Sequence, residues 1–239
     1  MSLLDKASLV QIPSGYKEDK LYSVVPDSGA GDFTFSRSSI GTRVNADGYI
    51  EEVPWNYNTN SEDLNSNTKL SIVVTSNDII SPRGTQDADK LETTSNTSYR
   101  LLKTNSISFV SGTDYTFSFY AKKGTTDFIQ LITTNTLFGA TSEWANFDLN
   151  NGVVSLDNYG GASIEDVGDG WYRCIMTSTC VTSGTNSWFV SIITSGTSTR
   201  AEATTSVIVN VYVWGLQVVK GTSVKPYIKT TDRLDAPRS

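Results

Sequence analysis

The sequence predicts an all-β chain: an antiparallel β-sandwich of the jelly-roll type, preceded by an extended N-terminal arm and a β-hairpin. Three observations carry that prediction. Short stretches alternate apolar and polar side chains, as half-buried strands require. Gly, Asn and Asp recur between those stretches at close intervals, marking turns. No segment has the 3.6-residue apolar period of an amphipathic helix.

The elements follow in order. Residues 20–25 read as a short strand, and 27–31 (Asp27-Ser28-Gly29-Ala30-Gly31) as a flexible turn. In 32–37 Phe33 and Phe35 alternate with polar neighbours, a strand signature. Residues 42–44 and 49–53 flank Asn45-Ala46-Asp47-Gly48, where Gly48 can supply the positive φ that closes a hairpin; Pro54 stops the second strand. The polar stretch 56–67 reads as a connector.

Beyond it come candidate strands at 70–74, 88–93, 99–103, 115–121, 128–133, 144–149, 153–156, 171–180, 187–194 and 206–219. The clearest is 115–121, where Tyr115, Phe117 and Phe119 share one face. Asn150-Asn151-Gly152 reads as a hairpin turn, and Asp166-Val167-Gly168-Asp169-Gly170 as turn chemistry. In 207–214 both faces are apolar, which predicts a strand that is central or covered by a neighbouring chain. The expected organisation is an arm and hairpin in 1–56, a sandwich in 57–230 and a tail in 231–239.

Composition excludes several functions. The chain has no histidine, so Ser-His-Asp and Cys-His catalysis and most zinc sites are ruled out. Neither phosphate-loop fingerprint occurs. The net charge of −6, with scattered basic residues, argues against nucleic acid as a partner. Residues 1–16 lack the apolar core of a signal peptide, and the most apolar stretch, 207–219, is broken by Asn210, Gly215 and Gln217. The expectation is a protein made in a cytoplasm, with no membrane insertion and no cofactor. Cys174 and Cys180, six residues apart in one predicted strand, lie roughly 20 Å apart at ~3.3 Å per residue, too far to bridge unless a turn intervenes. They are expected to remain reduced.

Carboxylates are the remaining catalytic candidates, since a glycosidase needs two on facing elements. Glu143, Glu165, Asp166 and Asp169 are present, but each reads first as strand-start or turn chemistry, and the chain is expected not to be an enzyme. Asp157, Asp166 and Asp169 are weak calcium candidates; their spacing does not match an EF-hand loop. Aromatic side chains in a polar β protein suggest glycan stacking. Trp171, Trp188 and Trp214 fall in predicted strands and read as core, which leaves the loop residues Trp55 and Tyr159 as glycan-contact candidates.

Several stretches together resemble virion-associated proteins of tailed bacteriophages. Gly15-Tyr16-Lys17, Lys20-Leu21-Tyr22-Ser23-Val24 with Pro26, Gly31-Asp32-Phe33-Thr34-Phe35-Ser36-Arg37 and Thr42-Arg43-Val44-Asn45 with Asp47-Gly48-Tyr49-Ile50-Glu51 are similar to an N-terminal module of such proteins. Tyr115 to Gly124 and Ala162 to Cys174 resemble recurrent strands of their jelly-roll domain, which is like those of carbohydrate-binding modules. Trp214-Gly215-Leu216-Gln217, Tyr227-Ile228 and Thr230-Thr231 resemble its closing strand and exit. The resemblance implies a structural component of a phage particle, of fibre, appendage or decoration type, made in the host bacterial cytoplasm, localised to the virion and commonly trimeric. On that reading the N-terminal segment docks to a neighbouring capsid, neck or tail subunit, with Tyr22, Val24, Phe33, Phe35 and Arg37 as attachment candidates. The competing readings are a host-surface glycan-binding adhesin module and, third, a polysaccharide depolymerase.

Overall fold

The computed structural model describes residues 6–11, 20–21, 23–26, 28–34, 42–44, 48–52, 55–94, 99–134, 136–139, 143–202 and 207–231. Among these the chain is built from strands and turns, with one 3-10 turn at Leu64–Ser66 and no α-helix.

The first fifty residues form three small antiparallel pairs. β1 (Val10–Gln11) lies against β3 (Ser23–Val25), and β2 (Lys20–Leu21) against β4 (Phe33–Thr34). β5 (Thr42–Val44) and β6 (Ile50–Glu52) form the expected hairpin, with Gly48 at φ +84°. The single strand expected at 20–25 is thus divided between two pairs. Of the strand expected at 32–37, residues 35–37 lie outside the described residues, as do hairpin residues 45–47 and the tail from 232.

From residue 55 onward the chain is an antiparallel β-sandwich. Its strands are β7 (Thr68–Leu70), β8 (Ile72–Ile80), β9 (Gln86–Thr93), β10 (Leu101–Lys103), β11 (Ile107–Phe109), β12 (Asp114–Lys123), β13 (Phe128–Ile132), β14 (Trp144–Asp148), β15 (Val153–Asp157), β16 (Ala162–Gly168), β17 (Trp171–Thr179), β18 (Gly184–Asn186), β19 (Phe189–Ile192) and β20 (Asn210–Lys220). The first sheet has the order β15-β14-β13-β19-β10-β7 and the second β16-β17-β12-β20-β9-β8; β11 and β18 form a small separate pair. The chain passes between the sheets at β7–β8 on one edge and at β15–β16 on the other.

The inner faces meet in one core. Tyr115, Phe117 and Phe119 of β12 are fully buried, as their alternation predicted, and pack against Ile129, Leu131, Phe147, Val190 and Ile192 of the facing sheet. Edge-on aromatic contacts close one end, with Phe138 at 5.3 Å from Phe117 and 4.9 Å from Phe109. Cys174 and Cys180 are free thiols in this core, and burial pushes both upward in pKa.

β20 is central, between β12 and β9, which accounts for its two apolar faces. Its alternation is not continuous. The register with β12 shifts between Ser118↔Gln217 and Tyr120↔Trp214, a β-bulge at Gly215. Val211 and Val213 point inward before it; Leu216 and Val218 point inward after it, and Trp214 packs outside with Tyr120 and Trp171. Gly215 holds φ +66°, and a Cβ there would come within 3.0 Å of the Tyr120 ring and 3.1 Å of the Tyr227 ring. Both demands select glycine.

β11 and β18 were not anticipated, and β16 only through the resemblance of Ala162 to Cys174, not from alternation. β16 is an edge strand whose residues beyond Ile164 are exposed, so little apolar signal marks it. The expected turn at 166–170 narrows to Asp169-Gly170, both at positive φ, between the paired Gly168 and Trp171.

Candidate functional site

Three features outside the core bear on function: a lacing of the chain's lead-in and lead-out, two straps over the sheets, and the apolar surface of the first fifty residues.

The lacing overturns the connector reading of 56–67. β9 pairs with β20 only as far as Val213, which leaves the second half of β20 open on that side. Residues 56–61 fill the gap. Tyr57 N donates to Val218 O at 2.8 Å and Leu216 N to Ser61 O at 2.9 Å. Between those rungs the Asn56 side chain substitutes for a peptide group. Its Nδ2 donates to Leu216 O (2.9 Å) and Ile228 O (3.0 Å), and its Oδ1 accepts from Val218 N (2.9 Å) and Asn58 N (3.0 Å). All four hydrogen-bonding positions of this buried amide are used.

The same residues bind the lead-out, 225–231. Ser61 N donates to Thr230 O and Thr230 N to Ser61 Oγ; Thr230 Oγ1 donates to Asn58 O, and Ser61 Oγ meets Tyr227 OH at 2.7 Å. Asn58 Oδ1 accepts from the indole of core Trp188 at 3.2 Å. Glu62 adds ion pairs to Arg83 and Lys229, each at 3.0 Å. The polar residues of 56–61 serve internal hydrogen bonding here, in a stretch whose sequence reads only as a connector.

Each sheet is also strapped on its outer face. Over the first, residues 196–201 are held by Gln130 and Asn146, both fully buried. Asn146 Nδ2 donates to Gly196 O and Ser198 O. Gln130 donates to Asn146 Oδ1 and Thr199 O, and accepts from Ala201 N at 2.7 Å. Over the second, 225–228 are held by Arg173, which donates to Lys225 O, and by Gln217, which donates to Lys225 O and accepts from Ile228 N. Arg173 also lies over the Tyr120 ring.

The glycan-contact candidates separate. Trp171, Trp188 and Trp214 are 2%, 1% and 3% exposed and serve packing. Trp55 is half-buried, edge-on to Tyr57 at 5.3 Å. Tyr159, 52% exposed, stands in the turn after β15. That turn is shaped by Asp157, whose carboxylate accepts from Tyr159 N, Gly160 N and Ala162 N. The Asp166 carboxylate accepts from Gly168 N. Among the described residues no three acidic, cysteine or histidine side chains gather as a metal site, so Asp157, Asp166 and Asp169 are not brought together as one.

Two acids stand apart electrostatically. Burial pushes Glu143 up to about 7; the neighbouring Asp157 adds to the rise, and the Ser178 hydroxyl opposes it. Glu143 is 4% exposed, and neither its Oε2 nor Ser178 Oγ completes a hydrogen bond of normal geometry. Burial also pushes Asp89 up to about 6, against the pull of two backbone N–H groups, Leu64 at 3.1 Å and Asn77 at 2.9 Å. Each carboxyl is enclosed in packed structure, which gives a substrate no access to it.

The first fifty residues contrast with the sandwich. Among the described residues, no hydrophobic side chain before Leu64 is buried, and Leu9, Phe33, Val44, Tyr49 and Ile50 are exposed, Ile50 at 77%. Backbone and polar contacts fix the local form: Gln11 Nε2 donates to Gly31 O, and Ser23 N and Oγ donate to Asp32 Oδ1. Of the attachment candidates, Phe33 is exposed and Val24 half-buried, while Tyr22, Phe35 and Arg37 lie outside the described residues.

No protein-family model matches the chain, and no curated protein matches its sequence.

Proposed function

We propose that this chain is a non-enzymatic structural component of a bacteriophage particle, of fibre, appendage or decoration type, that docks to a neighbouring virion protein through its first fifty residues. The observation that carries the docking is the exposed apolar set Leu9, Phe33, Val44, Tyr49 and Ile50, on or next to strand pairs of two or three residues, too short to bury it themselves. Apolar side chains left exposed along one segment in this way are what a partner's surface would cover. The phage assignment comes from the sequence resemblance of the N-terminal and sandwich motifs. The absence of histidine and the enclosed state of Glu143 and Asp89 support a role without catalysis. A trimer, on this reading, brings three such segments to one receptor.

The test uses the full chain carrying Phe33→Glu and Ile50→Glu. Both side chains are exposed, so the sandwich is expected to keep its stability while incorporation into particles falls sharply. Undiminished incorporation would remove the N-terminal segment as the docking element. Tyr159, exposed in its turn, favours a glycan-binding module as the second reading. Titration with millimolar oligosaccharides, with Tyr159→Ala as control, decides it: saturable binding lost in the variant supports that module.

A further inference from the structure

We infer that the lacing of 56–61 to 227–231 is a mechanical clamp, arranged so that tension between the two ends of the sandwich loads its hydrogen bonds together. The inference does not depend on what the first fifty residues bind.

It rests on direction. Along the lead-in, Tyr57 pairs with Val218 and Ser61 with Leu216, so this segment runs antiparallel to β20. Along the lead-out, Lys225 and Pro226 oxygens accept from Gln217, after the chain has turned back from the end of β20 at Lys220. Lead-in and lead-out therefore run parallel, side by side: Asn56 meets Ile228, Asn58 meets Thr230, and Ser61 meets Thr230. The chain enters the lacing at Trp55 and leaves it at Thr231, at opposite ends. Pulling those points apart slides one segment along the other, so the bonds are strained at once. Each is worth little alone, but none can break first without the others carrying its share.

The remaining contacts fit the role. Asn56 holds β20 and the lead-out through one amide, which ties the clamp to a central strand rather than an edge. Ser61, Asn58 and Asn56 are all buried, so water cannot replace a strained bond as it begins to open. Outside the hydrogen-bonded strip, Glu62 and Lys229 form an ion pair across the same two segments.

The experiment is single-molecule pulling on the folded chain with two handle placements. Handles at residues 55 and 231 shear the lacing. Handles at residues 55 and 223 pull from one end of it, so Asn56, Tyr57 and Ser61 separate in sequence. The expected result is a rupture force several-fold higher for 55–231, lowered by Thr230→Val, which keeps the side-chain shape and removes the Oγ1 bond to Asn58. Denaturant unfolding of Thr230→Val, run alongside, establishes that it folds. Equal rupture forces in the two placements would overturn the inference, as would an unchanged 55–231 force in a folded Thr230→Val.

Discussion

Replacing Glu143 by Gln should make the sandwich respond differently to pH. In the folded chain this carboxyl is buried, has no hydrogen bond to Oε2 and faces Asp157, all of which disfavour its charge. Its pKa therefore rises from 4.5 to about 7. The folded state holds the proton more tightly than the unfolded chain. Stability from this group is fully present below pH 4.5 and is lost as pH rises through 7. A rise of that size, at about 1.4 kcal/mol per pKa unit, corresponds to about 3 kcal/mol between pH 4.5 and pH 8. Gln cannot ionise and is close in shape, so the variant lacks this loss. Urea unfolding across that range, with the m-value checked for constancy, measures it. The difference between Glu143→Gln and the parent should grow in the variant's favour by about 3 kcal/mol from acid to alkaline pH. A difference that stays flat with pH would refute the reasoning, because the carboxyl would then be charged in the folded state throughout.

Four further outcomes are expected. Asp89→Asn should cost about 2–3 kcal/mol at neutral pH in denaturant unfolding, since one of the two oxygens that accept from Leu64 N and Asn77 N becomes an NH2 donor facing a backbone N–H. Phe117→Ala should cost about 3–5 kcal/mol in the same assay by opening a cavity between the sheets. Gly215→Ala should destabilise the fold by about 1–3 kcal/mol through its positive φ and its contacts with Tyr120 and Tyr227, seen as a lower thermal midpoint. Asn146→Ala removes the bonds to Gly196 and Ser198, so amide exchange in 196–201 should accelerate well beyond that of β13, and equal protection would count against the strap.

Much of the fold was legible because an apolar inner face set against a more polar outer one writes a period of two into the residues. β12, β13 and β14 were visible for that reason. The β5–β6 hairpin was legible through Gly48, and the β14–β15 turn through Gly152, each at positive φ. The pattern failed where polar side chains do the work of backbone. Asn56, Asn58, Ser61, Gln130, Asn146 and Gln217 are buried, and no hydropathy argument separates them from solvent-facing residues. It failed again at Gly215, where a bulge exchanges the two faces of β20 in mid-strand. Trp171, Trp188 and Trp214 are buried as the sequence suggested, although Trp171 and Trp214 pack with Tyr120 outside the main core. Of the attachment candidates, Phe33 is exposed as a docking residue must be, but alternation within a strand carries no information on what meets its outer face.

The two straps have a consequence for how such a sandwich can meet other molecules. A sheet offers a flat surface on which a planar ring can lie, and here the middle of each outer face is already taken, by 196–201 on one side and 225–228 on the other. The chain has in effect upholstered itself. Among the described residues the rim stays open: the edge strands β7, β8, β15 and β16, the turn bearing Tyr159, and the loops at the two ends. A flat ligand would have to displace a strap before it could lie on the middle of either sheet.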